Sequence, residues 1–171
     1  MSALYAAEPA VLYQARELLL GRGLAVLVAW ALLTLLVSGY RVTRADRRTE
    51  GFHFHGMNVA WGLINAGLAF GGIWQLLPAA PAGLQLPGLF AQQLHHETLF
   101  AVNTGLDAAY LMTGLYLRAR AAAPGTARPE RLRGYGLSLR VQGGFLFVFD
   151  AAMWALLHGQ SGAWLTAAGA R

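Results

Sequence analysis

Four long apolar blocks, separated by short stretches rich in arginine or proline, organise this chain. Leu18 to Tyr40 contains one charge, Arg22, and Met57 to Leu77 contains none; Thr98 to Leu117 contains only Asp107, and Val141 to Leu157 only Asp150. A helix needs on the order of 20 apolar residues, with a range of about 17–25, to cross the hydrocarbon core of a bilayer. Each block therefore predicts a transmembrane helix. With their polar shoulders these helices are expected over approximately 10–41, 53–77, 94–120 and 132–158, forming a single integral membrane domain across 1–171. The predicted fold class is all-α: a four-helix transmembrane bundle with short loops. A soluble bundle would show polar outer faces at the 3.6-residue period, whereas here those faces are Leu, Val, Phe and Ala.

Composition agrees. Hydrophobic residues make up 56% of the chain and charged residues 12%, against roughly 45–50% and about 25% in ordinary globular domains. There is no cysteine, which removes disulfides and thiolate metal sites. All 13 basic residues are arginine. The net charge of +5 does not imply nucleic-acid binding, because the arginines flank helix ends and form no aromatic-interleaved patch.

Orientation explains them better. Arg41, Arg44, Arg47 and Arg48 follow the first helix, and Arg118, Arg120, Arg128, Arg131 and Arg133 follow the third, while the 78 to 93 connector carries no charge. Short arginine-rich loops stay in the cytoplasm. The expectation is a multi-pass protein of a bacterial inner membrane with both termini outside and no removable signal peptide. Pro78, Pro81 and Pro87 are expected to end the second helix and break the connector, whose Leu84, Leu86, Leu89 and Phe90 would dip into the outer headgroup region.

The polar residues inside the spans share faces. On the third helix His96, Asn103 and Tyr110 are seven apart, and Asp107 and Gly114 fall on the same stripe. On the second, His55, Asn58, Gly62, Asn65, Ala69 and Gly72 alternate spacings of three and four. Gly136, Gly143 and Asp150 recur at heptad spacing on the fourth, beside Gln142, and Gly67 with Gly71 forms a GxxxG pair. The second, third and fourth helices are thus expected to enclose a buried polar network of Asn58, Asn65, His96, Asn103, Asp107, Tyr110, Gln142 and Asp150. The first helix, with Trp30, Thr34 and Ser38, is expected to face lipid most.

An acid at mid-membrane must be protonated, paired or wet, since exposing its charge there costs about 2.5–3.5 kcal/mol on insertion scales. The sequence offers Asn65 and Asn103 as partners for a neutral Asp107, and Arg22 as a partner for Asp150. His95, His96 and Glu97 open the third helix near the depth at which His158 closes the fourth. Adjacent histidines point about 100° apart, so His96 with His158 is the ligand pair that could hold a divalent metal or haem iron. His53 and His55, at the cytoplasmic edge, read as solvated or capping residues.

No G-x-S-x-G, H-E-x-x-H, phosphate-binding loop or dinucleotide fingerprint occurs. The fragments "VNTGLDAAYLMTG" and "YGLSLRVQGGFLFVFDAAM", with "MNVAWGLINAGLA", resemble a group of uncharacterised bacterial four-helix membrane proteins classified only as a domain of unknown function. That resemblance implies a four-helix membrane fold and no particular reaction. Four functions fit the residues: a non-enzymatic component that binds a ligand or partner through its polar seam, a haem- or metal-binding subunit using His96 and His158, an intramembrane lipid-modifying enzyme using His96 with Asp107 or Asp150, or a proton-coupled transporter using the midplane acids, for which four helices would require a dimer to enclose a pathway. Expected partners are the lipid bilayer and a homo-oligomer or larger membrane complex.

Overall fold

The computed structural model describes residues 9–76 and 85–169. Pro78, Pro81 and Leu84, on which the expected course of the second connector rested, lie outside the described residues. Four helices account for 91% of what is described, and no strand occurs among those residues. They are α1, Pro9–Val42; α2, Glu50–Leu76; α3, Leu86–Ala122; and α4, Pro129–Gly169. Gly125, at φ 71°, helps turn the chain between α3 and α4.

Two helices are longer than hydropathy predicts. α3 starts at Leu86 rather than near 94, and Pro87 does not break it because it sits in the first turn, where proline's missing N–H has no helical partner to lose. α4 continues past His158 to Gly169. The cause is tertiary: Leu86 and Leu89 of α3 bury against Leu12 of α1 and Trp164 and Ala167 of α4, forming a three-helix collar. α2 takes no part in it, since its last residue, Leu76, reaches only the level of Gly21 on α1.

The exterior is apolar. Leu32, Leu33, Leu36 and Val37 on α1, and Leu63, Leu68, Phe70 and Trp74 on α2, are exposed, far more contiguous apolar surface than a water-soluble monomer presents. α1, α2 and α4 are each long and apolar enough to cross a membrane. α3, expected as the third span, falls below that level of hydropathy because Asn103 and Asp107 interrupt its apolar run.

The packing order differs from the expectation of α2, α3 and α4 around one seam. α4 packs closely on α3 and also on α2, and α1 packs on α2; α2 and α3 make no close backbone approach among the described residues. α1 is not the helix turned most fully to lipid. Its buried stripe, Leu12, Arg16, Leu20, Gly23, Leu27, Ala31, Thr34 and Ser38, faces the bundle at spacings of three or four. Trp30 of α1 stacks on Phe145 of α4, with ring centroids 4.1 Å apart.

Glycines set the α3–α4 crossing. A Cβ at Gly114 would lie 2.7 Å from the Gly136 carbonyl oxygen, and one at Gly136 would lie 2.7 Å from that of Gly114. At Gly143 a Cβ would come 3.3 Å from the Asp107 carbonyl oxygen. Only glycine lets the two backbones approach this far. The expected Gly67 and Gly71 pair behaves differently: neither has an atom of another element within 4 Å of its Cβ position, and both line an open cleft.

Candidate functional site

The space left between α2 and α3 is that cleft, of about 1130 Å³. Leu146, Phe149, Asp150 and Met153 of α4 line it together with α1 residues from Tyr13 to Leu27. Trp61 of α2 meets Tyr110 of α3 edge-on, at a centroid distance of 5.0 Å, and bridges the walls at one end. Its outer lips, Ile64 and Leu68 on α2 and Leu99 and Leu106 on α3, are exposed apolar side chains.

At mid-height the interior turns polar. Asp107 and Asp150 are 3% and 5% exposed, and their carboxyl groups meet within hydrogen-bonding reach. A carboxylate only accepts hydrogen bonds, so a direct bond between the two carboxyls would need a proton on one of them. Asp107 Oδ2 has no partner among the described residues, nor has Nδ2 of Asn65, which is 1% exposed and lines the same cleft. Asn103 and Tyr110, both half-buried, line it too.

The acid pair corrects two expectations. Asp150 is not paired with Arg22, which is exposed on the far face of α1; its neighbour is Asp107. Nor do Asn65 and Asn103 bond to Asp107. Of the stripe expected on α3, His96, Asn103, Asp107 and Tyr110 all line the cleft; Asp107 and Tyr110 also meet α4 beside Gly143, and Gly114, off the cleft, packs on Gly136.

A second cluster crosses the bundle towards the arginine-rich end. Asn58 Oδ1 accepts hydrogen bonds from Ser138 Oγ at 2.7 Å and Gln142 Nε2 at 3.0 Å. Gln142 Oε1 in turn accepts from Trp30 Nε1 at 2.8 Å. Asn58, Ser138 and Gln142 are all buried. The chain Trp30–Gln142–Asn58 thereby ties α1, α4 and α2 together. Nearer that end, His55 Nδ1 lies 3.2 Å from Ser38 Oγ.

The collar holds a third. Arg16, 1% exposed, donates to the Leu89 carbonyl at 3.0 Å, Gln92 Oε1 at 2.7 Å and Glu17 Oε1 at 3.2 Å, and its guanidinium lies 5.8 Å from the Trp164 ring centroid. Glu97 accepts from Gln93 Nε2 at 2.9 Å and Ser161 Oγ at 2.6 Å, while His158 Nδ1 sits 3.1 Å from its second oxygen. Serine and histidine both bind the carboxylate and not each other, so this is a clasp between α3 and α4, not a nucleophile relay.

His96 and His158 are engaged in different places. His158 bonds Glu97 and stacks on Trp154, while His96 packs by His95 and lines the cleft. Among the described residues no group of three or more histidine or acidic side chains could hold a metal ion. Arg16, Gln93, Ser138 and Ser161 escaped the sequence reading. Arg16 carried a usable signal, its place on the same stripe as Leu12, Leu20 and Leu27; Arg22 does not share that stripe.

Together these features define a class: a four-helix protein with an apolar exterior, spans long enough to cross a membrane, and a deep side cleft ending on two acids. Within that class the chain belongs to a family of unknown function (DUF6992), whose model matches residues 26–151. The match takes in the acid pair, Asn65 and the Asn58 network, and stops short of Arg16 and His158. No curated protein and no solved structure matches the chain.

Proposed function

We propose that this is a multi-pass protein of a bacterial inner membrane that binds one small amphipathic molecule, drawn sideways from the lipid phase into the cleft between α2 and α3. The reading rests on a single observation: a cleft of about 1130 Å³ whose lips are apolar and whose interior presents Asn65 Nδ2 and Asp107 Oδ2 without partners. Buried polar atoms are ordinarily hydrogen-bonded, and in hydrocarbon an unmade bond costs several kcal/mol. A ligand with an apolar body and one polar group matches this profile. α3, too polar to be counted a span by composition alone, enters the membrane packed on α4 and keeps its polar stripe off the acyl chains. The arginine-rich loops then face the cytoplasm.

Binding, not catalysis, is the function this supports. Among the described residues the acids have no nucleophile or histidine bonded to them, and the Glu97 carboxylate is held by Gln93, His158 and Ser161. A diazirine-bearing C16 alcohol, photolysed with the protein in lipid nanodiscs, tests the reading. Labelling should concentrate on Leu68, Leu99 and Leu106 over Leu32 and Leu36 of the outer α1 face. Gly71→Trp, placed where a Cβ meets open space, should block it. Uniform labelling of all lipid-facing leucines would overturn the proposal.

A further inference from the structure

Resting on that reading, we propose that the molecule taken into the cleft is a lipophilic monocation, an amine or onium centre carried on apolar groups, and that its charged centre exchanges with the proton held between Asp107 and Asp150. Two carboxyls share this spot and, among the described residues, no basic side chain pairs with either. Arg16 is bound at the level of Gln92, fifteen residues above Asp107, which at a rise of about 1.5 Å per residue is about 22 Å away along α3. His96 is eleven residues above it, about 16 Å on the same rise. Arg140, ten residues from Asp150 on α4 and exposed, stands about 15 Å off. The other titratable or charged side chains facing the cleft are Tyr13, Arg16 and Glu17 on α1 and His95, His96 and Tyr110 on α3; α2 contributes none, and α4 only Asp150.

A mobile positive charge would complete what the fold leaves open. Asp107 Oδ2 would gain a partner, and the aromatic faces of Trp61, Phe100 and Phe149 lining the cleft suit a cation as well as an apolar body. Asn65, free of other bonds among the described residues, can turn its amide oxygen towards the charge. An anion would meet two acids at close range. The sideways opening lets the apolar groups stay in lipid while the centre reaches the pair. When the cation enters, one carboxyl O–H breaks and its proton leaves to water; when a proton returns, the cation is released. One positive charge replaces another, so the exchange leaves the net charge of the pair unchanged and places no new charge at mid-membrane.

The experiment is equilibrium binding of radiolabelled tetraphenylphosphonium to the whole protein in nanodiscs, from pH 5 to 9, beside the neutral diazirine alcohol. One-for-one exchange makes apparent affinity rise about tenfold per pH unit while the pair holds its proton. Titration in two buffers of different ionisation enthalpy should show about one proton released per cation by the same linkage. Asp107→Asn and Asp150→Asn, which keep side-chain size, should each weaken tetraphenylphosphonium binding at least about tenfold, with circular dichroism verifying that the variants stay folded. Binding independent of pH, or unaffected in both variants, overturns the proposal. Labelling by the alcohol without any phosphonium binding overturns the cation and leaves the lipid-phase cleft standing. Failure of both probes overturns the cleft reading as well.

Discussion

Replacing Gly114 with alanine probes the contact that brings the two acids together. The added Cβ would lie 2.7 Å from the Gly136 carbonyl oxygen, 2.8 Å from Arg140 Cγ and 3.2 Å from the Arg140 nitrogen, where ordinary contact begins at 3.4 Å. The arginine methylene can swing aside, but the carbonyl is backbone, so α3 and α4 must part by about 0.7 Å at this point. Overpacking of this kind costs about 1–3 kcal/mol. Alanine recovers about 1 kcal/mol of helix propensity over glycine, and a control cancels that gain: Gly67→Ala, in mid-helix facing the cleft, makes the same exchange with nothing within 4 Å. The difference between the two variants isolates the packing term, expected at about 2–3 kcal/mol because the collision is with backbone. Reversible unfolding in mixed micelles, followed by circular dichroism as denaturing detergent is titrated in, measures it. Gly114→Ala should also weaken tetraphenylphosphonium binding, since Gly114 and Asp107 face α4 on one stripe. Equal stability of Gly114→Ala and Gly67→Ala would refute the close crossing.

Other consequences are measured more simply. Asn58→Ala removes the acceptor shared by Ser138 and Gln142; interhelical hydrogen bonds in membranes average about 0.6 kcal/mol each, so the same unfolding assay should show a loss of about 1 kcal/mol, with the red-edge fluorescence of Trp30 shifted. Trp164→Ala empties the centre of the collar and should cost about 3–5 kcal/mol, exposing the chain near Leu86 to protease sooner than the chain near Asp46. After an alkaline carbonate wash the protein should remain in the membrane pellet, as spans with this much exposed apolar surface require; release into the supernatant would remove the basis of the lipid-phase cleft.

The sequence carried the helices because their causes are local. Apolar blocks of spanning length and a three-and-four spacing of small and polar residues on α2 are properties of the chain itself, and α2 buries Asn58, Gly62, Asn65 and Ala69 on that stripe. The collar was not legible: residues 86–93 and 159–169 look like loop and tail until Leu12, Leu89 and Trp164 are brought together. Arg22 drew attention by interrupting an apolar run, yet an arginine inside such a run can turn outward, while Arg16, at the edge, sits on the buried stripe.

What the chain determined alone, then, is four helices, an exterior suited to hydrocarbon, and the side of each helix that bears its hydrophilic groups. Tertiary structure decided which of those groups meet. Periodicity fixes the direction in which a side chain leaves its helix but not what stands opposite it. That depended on the glycine-lined crossing at Gly114 and Gly136, which presses α3 onto α4, sets Asp107 against Asp150, and leaves α2 standing apart from α3 with a cleft between them.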